Sequence, residues 1–165
     1  MRVFGVVGRC AAKAGVVSRL VQAAGAQGLS VSTIKRVNDE VDLDRPGTGS
    51  WGHRKAGARE VVLASGTRTA ILREAAEPQD EPDFPALLAQ MTPVDLVILE
   101  GFRRSLYPKL EVVEPGQDRR LLALDDPSVR AVICAAPVAA PVPCLALEDT
   151  AGLLAFVLAE AVAPV

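Results

Sequence analysis

Histidine is almost missing from this chain: His53 is the only one in 165 residues. A histidine-based metal cluster is thereby excluded. Cysteine is nearly as scarce. Cys10, Cys134 and Cys144 are odd in number and far apart in sequence, which fits reduced thiols in cytosol and argues against a disulfide framework or a zinc site. Neither sign of charge is in excess, with 18 basic against 20 acidic residues, so no general nucleic-acid-binding surface is expected. Long hydrophobic runs are lacking as well, and the longest fall far short of a membrane span. The first residues carry one Arg before a short apolar run, without an n-region or cleavage site, so we expect no signal peptide and a cytoplasmic location. What remains is a length that suits one domain, residues 1–165, with a sizeable core.

The stretch Val3 to Gly15 has the shape of a phosphate-binding loop. An apolar run ends at Gly8, and a helical pattern follows from about Ala12. A P-loop, G-x-x-x-x-G-K-[ST], occupies such a strand-to-helix corner. Counted from Gly8, its second glycine falls on Lys13, its phosphate-gripping lysine on Ala14, and its Mg²⁺-binding hydroxyl on Gly15. First glycine, placement and spacing survive; the three working positions do not.

Apolar runs alternate with helical patterns along the chain, as in an α/β sheet. Arg2–Val7 reads as a central strand and Ala12–Gln27 as a helix stopped by Gly28. Leu29–Lys35 reads as the next strand and residues 37–50 as an acidic, turn-rich loop. Glu60–Ala64 and Arg68–Leu72 bracket Ser65-Gly66-Thr67 and predict a hairpin. A solvated acidic connection over 75–83 precedes a helix from Pro85 to Met91 and an apolar strand, Val94–Leu99. Lys109–Val113, Leu121–Leu124, Ala131–Cys134 and Pro143–Leu147 predict further strands, and Thr150–Ala161 a terminal helix.

Ligands of open parallel sheets bind beyond the carboxyl ends of the strands. That rule brings the loop Gly8, Arg9, Cys10, Ala11, Ala12, Lys13, Ala14 and Gly15 to one edge together with the loop from Lys35 to Asp44 and with Glu100-Gly101. Lys35 and Arg36 suit a phosphate, or else are solvated strand-end charges. Asp42 and Asp44 could hold Mg²⁺ through water, or else belong to an acidic solvated loop; Glu100 could order Mg²⁺-bound water in a Walker-B-like or switch-like position, or else is a strand-end acid before a turn glycine. Gly101 would let backbone approach a phosphate. Arg103, Arg104 and Lys109 form a basic group able to receive an anionic cofactor, or simply a solvated one. His53 reads as a surface or half-buried histidine, and Cys10 as a small loop residue near a helix N-terminus.

Phe4-Gly5-Val6-Val7-Gly8, Val31-Ser32-Thr33-Ile34-Lys35, Asp42-Leu43-Asp44-Arg45-Pro46-Gly47, His53-Arg54-Lys55-Ala56-Gly57-Ala58 and Leu99-Glu100-Gly101-Phe102-Arg103 resemble the molybdopterin-guanine dinucleotide biosynthesis protein B family. Pro108-Lys109-Leu110-Glu111-Val112 and Asp125-Asp126-Pro127-Ser128 continue the resemblance, which runs in order from residue 2 to about 158. It implies a P-loop NTPase-like three-layer α/β sandwich, mostly parallel with an added antiparallel ribbon, that forms a homodimer. The implied role is accessory: helping attach GMP to molybdopterin, or handing on the finished cofactor, beside the molybdenum cofactor guanylyltransferase or other proteins of cofactor biosynthesis and molybdoenzyme maturation. The implied ligands are GTP with Mg²⁺, molybdopterin, or molybdopterin-guanine dinucleotide.

The departures weigh against hydrolysis. Where the family has Gly-x-x-Gly-x-Gly-Lys-Thr-Thr, this chain has Gly8, Ala11, Lys13, Ala14, Gly15 and Val16. Losing the lysine removes a charge-assisted contact of roughly 1.5–3 kcal/mol. Family histidines after Thr-Ile-Lys are replaced by Arg36, Asn38 and Asp39, and a family acid by Gly49. We therefore expect a protein that binds and presents without efficient GTP hydrolysis. The alternatives are a working GTPase with a loop reshaped around Lys13, and a dimeric interaction scaffold that binds no nucleotide.

Overall fold

The computed structural model describes residues 1–9, 11–37, 44–74, 82–114, 120–136 and 138–164. In chain order the elements are β1 (Arg2–Gly8), α1 (Ala12–Ala26), β2 (Val31–Lys35), α2 (Gly49–Lys55), β3 (Glu60–Ala64), β4 (Thr69–Arg73) and α3 (Phe84–Ala89). There follow β5 (Leu96–Glu100), β6 (Lys109–Val113), a 3₁₀ turn at Leu122–Leu124, β7 (Val129–Cys134), β8 (Cys144–Ala146) and α4 (Thr150–Glu160). The chain divides into two compact units, one of Met1–Val37 with Gln90–Val165, the other Asn38–Ala89.

The first unit is built on a six-stranded sheet of order β2-β5-β1-β6-β7-β8. Its neighbouring strands pair in parallel, as expected from apolar strands separated by helices. Phe4 and Val6 of β1, Leu96 and Ile98 of β5, Leu110 of β6 and Ile133 of β7 share one buried face. Val16, Leu20 and Ala24 of α1 and Leu153, Leu154 and Val157 of α4 pack in the same core. The opposite parity is buried too: Val3, Val7, Val97 and Leu99 are inaccessible to solvent. Burial on both sides explains why β1 and β5 read as continuous apolar runs.

Helix ends follow local chemistry. Gly28 stops α1 with φ +78°, a left-handed residue that only glycine takes at no steric cost. Asp149 caps α4 by accepting the Gly152 N–H at 2.9 Å. The start of α1, by contrast, has Ala11 at its cap and no side-chain hydrogen bond.

The second unit holds α2, the antiparallel ribbon β3–β4 and α3. Ribbon register pairs Glu60 with Arg73 and Val62 with Ile71, one residue beyond the predicted second strand. Two further expectations need correction. Leu121–Leu124 is not a strand: Glu111 in β6 accepts the Leu122 and Ala123 N–H groups at 2.8 and 3.0 Å, which gathers the segment into a 3₁₀ turn. The predicted loop over 37–50 ends early, because Thr48 accepts the Trp51 N–H and opens α2 at Gly49. The other predicted helices and strands are present with ends displaced by at most about two residues.

Candidate functional site

The ends of β2, β5 and β1 lie side by side, since Lys35 is in register with Glu100 and Glu100 with Val6. Three segments named from the sequence therefore meet at one edge: the turn at Gly8, Lys35-Arg36, and Glu100-Gly101. Hydrogen bonds weld the junction. The Arg36 N–H donates to the Glu100 carbonyl at 2.9 Å, and the Gly101 N–H to the Val6 carbonyl at 3.0 Å. Gly101 turns with φ +90°, and a Cβ there would lie 3.5 Å from the Arg36 carbonyl oxygen. Gly8 is still more confined: with φ +146°, any Cβ would come within 2.4 Å of the Val112 carbonyl oxygen. Both glycines are thus explained by backbone geometry before any ligand is considered.

The loop itself takes up helix at once. Ala12, Lys13, Ala14 and Gly15 form the first turn of α1, Arg9 is exposed before it, and Ala11 is exposed at the cap. Cys10 lies outside the described residues, as do Asn38, Asp39 and Asp42. Lys13 is partly buried within that turn. Side chains one residue apart on a helix diverge by about 100°, so Lys13 does not point where a lysine at position 14 would.

Glu100 is only 13% exposed and forms an ion pair with Lys35 at 3.2 Å. Its carboxylate is already partnered by a cation. Asp44, in the second unit, is also committed: its Oδ1 accepts from the Arg45 N–H and from the Thr48 and Ser50 hydroxyls at 3.1, 3.3 and 2.8 Å. Its Oδ2 faces Arg54 Nε at 3.4 Å, and Arg54 also reaches Glu74 at 2.9 Å. Asp44 is the knot that holds the entry to α2. His53 sits exposed in the last turn of that helix. These donors do not fit a phosphate-bound Mg²⁺: position 15 offers no hydroxyl, Glu100 is paired, and Asp44 is buried among its own loop's donors. Among the described residues no group of three His, Cys, Asp or Glu is placed to hold a metal ion, and no helix is long and apolar enough to cross a membrane.

Lys109 corrects another expectation. It does not belong to an exposed basic group; it is fully buried. Its ammonium donates to the Arg103 carbonyl at 2.9 Å, to the Ser105 carbonyl, and to Asp126 at 3.0 Å. Gly5 in the neighbouring strand makes room for it, since a Cβ there would lie 2.8 Å from Lys109 Cβ. Burial pushes the Asp126 carboxyl up, but bonds from Ser128 and Lys109 outweigh it and hold the group below the usual carboxylate range.

What the edge does offer is basic. Arg36 after β2 and Arg103 and Arg104 after β5 line, with Leu122 of the 3₁₀ turn, a cleft of about 350 Å³. Arg36 and Arg103 are half-buried and Arg104 is exposed. In the sequence Arg36 lies far from Arg103 and Arg104, and nothing local marks Leu122 as a neighbour of these arginines or Glu111 and Asp126 as the carboxylates that hold the surrounding turns. The available signal was the alternation Lys109-Leu110-Glu111 inside an apolar strand, which puts two charges on one face of an inner strand.

Comparison with known proteins gives a consistent result. The family described as molybdopterin guanine dinucleotide synthesis protein B matches residues 3–135. The chain is 32% identical over 148 residues to the molybdopterin-guanine dinucleotide biosynthesis adapter protein of Escherichia coli, covering 88% of this chain and 84% of that one. It is 30% identical over 114 residues to the adapter protein of the same description in Haemophilus influenzae, covering 69% and 64%. A crystal structure of Bacillus subtilis MobB has the same fold, with a TM-score of 0.75 at 20% identity over 99% of this chain and all of that one.

Proposed function

The chain belongs to the molybdopterin-guanine dinucleotide synthesis protein B family, and we propose that it performs the family's accessory part in cofactor biosynthesis by binding and presenting, without GTP hydrolysis. The observation that carries this reading is the first turn of α1, where Ala14 and Gly15 stand in place of the lysine and hydroxyl of a P-loop, in an otherwise regular helix. Transfer or cleavage of a γ-phosphate relies on those two groups for charge neutralisation and metal placement. The fold that would position them is intact, so the edge is retained for something other than that step.

Its cytoplasmic partner in this reading is the molybdenum cofactor guanylyltransferase, and the protein works as a homodimer. Exposed Val62, Leu63 and Ile71 on the ribbon favour the pairing of two copies. The direct test is turnover of GTP by the purified chain in excess Mg²⁺. Background rates, unchanged in Lys13→Ala, are expected, together with a higher yield of guanine dinucleotide cofactor when the chain is added to the guanylyltransferase. Turnover above background that Lys13→Ala abolishes would instead establish a reshaped, working loop.

A further inference from the structure

The structure assigns Cys134 and Cys144, at the β7–β8 end of the sheet, to a two-thiolate site for a soft monovalent cation of the Cu(I) class. The pair arises from strand register rather than from a sequence motif. β8 is only three residues long and lies level with the last three residues of β7. Val132 is opposite Cys144, Ile133 opposite Leu145, and Cys134 opposite Ala146. The first residue of β8 therefore lies close to the last residue of β7. Side chains alternate along a strand, so Cys134 shares a face with Val132. Cys144, in register with Val132, shares that face too. The residues between the two cysteines, 135–143, are alanine, proline and valine alone. The two sulfurs are thus the side-chain donors that this stretch of chain offers to an ion.

Hydrogen bonds already turn both thiols toward one point. Cys144 donates to the Val138 carbonyl at 3.5 Å, and the Val138 backbone N–H donates to Cys134. Cys134 and Cys144 also hydrogen-bond one another, although both are free cysteines. Sulfurs in such contact stand well apart from the roughly 2.05 Å of a disulfide. A cation seated between them needs two metal–sulfur bonds, each on the order of the 2.3 Å of a zinc–thiolate bond. Contacting sulfurs match that span with little movement of either strand.

The surroundings select the class of ion. Thiolates prefer soft cations such as Cu(I) to Mg²⁺ or Ca²⁺. Two of them satisfy a monovalent d10 ion in linear coordination, whereas zinc sites use four ligands. Cys134, 8% exposed, is clustered with Ala123, Val129 and Val132, and Val138, Ala140 and Val142 pack against them. An apolar wall of this kind disfavours a strongly hydrated ion. Cys144 is exposed and gives the ion its way in. On binding, each thiol gives its proton to solvent and each sulfur forms one bond to the cation, whose oxidation state is unchanged. The site makes no use of the presenting role proposed above.

Competition of the full chain with the Cu(I) chelator bathocuproine disulfonate, without air or added thiols, tests the assignment. The chain is expected to withdraw one equivalent of Cu(I), with a thiolate-to-metal charge-transfer band in the ultraviolet. Ag⁺ should displace that equivalent and Zn²⁺ should not. Cys144→Ser and Cys134→Ser should each weaken binding about a hundredfold or more, since even the outer partners of a metal ligand are worth 10–100-fold. Cys10→Ser should bind as the parent does. Circular dichroism checks the fold of each variant, and Cys144→Ser, at the exposed position, decides by itself if Cys134→Ser fails to fold. No uptake against the chelator, or uptake retained in Cys144→Ser, overturns the proposal. So does uptake that needs Cys10, or Zn²⁺ held as tightly as Cu(I). Half an equivalent per chain would put the ion between two copies and overturns it as well.

Discussion

Lys109 shows how one buried charge organises its surroundings. A lysine with 1% of its side chain exposed is tolerable only because two carbonyls and Asp126 replace its hydration. Lys109→Met should lower unfolding free energy by roughly 3 kcal/mol, because it leaves Asp126 without its partner, and the urea midpoint measures this. The Asp126 carboxyl is depressed in the folded state, so its contribution is present above the unfolded value near pH 4 and is lost as pH falls through the lower folded value. Asp126→Asn should therefore be less stable than the parent at neutral pH and should converge with it in urea midpoints taken below about pH 4. A gap that stays constant down to pH 2 would contradict this account. Neither residue's role is visible in composition, where Lys109 counts as one more surface cation.

Among the elements, α1 is the most telling. It starts without a capping side chain and carries Gly15 in its first turn, where an added Cβ would meet nothing within 4 Å. Gly15→Ala should stabilise the protein by about 0.5–1 kcal/mol, since alanine is the better helix former and orders less chain entropy away. A rise in Tm of about 2 °C is expected on that basis. A fall in Tm would mean that this turn adopts a conformation requiring glycine. The helix was legible in the sequence from Val16, Leu20 and Ala24 at helical spacing and from Gly28 at its end. The 3₁₀ turn was not, because Leu121–Leu124 is as apolar as a strand, and what folds it is a carboxylate ten residues upstream, in β6.

In the proposed homodimer the ribbon would carry association. β3 and β4 form a two-stranded sheet, and Val62 and Ile71, paired across it, are 54% and 57% exposed. An isolated ribbon is marginal in water and an apolar pair on open strands invites a second copy. The parent chain should sediment as a dimer, and Val62→Lys with Ile71→Lys should sediment as a monomer with an unchanged circular dichroism spectrum. A parent that stays monomeric over the accessible concentrations would remove the ribbon from the assembly.

Alternating apolar runs and helical spacings were enough to predict a parallel α/β sheet with an added ribbon, because burial on both faces demands uninterrupted apolar strands. The loss of lysine and hydroxyl after Gly8 was equally plain, since a motif of fixed spacing is local. Which charges are buried and which converge is not local. Lys109 and Glu111 lie in the chain much as Arg103 and Arg104 do, and only the order β2-β5-β1-β6 sends the first pair inward and gathers the second with Arg36 at the carboxyl edge. Strand order depends on pairings between residues more than sixty positions apart, and no short-range pattern encodes them.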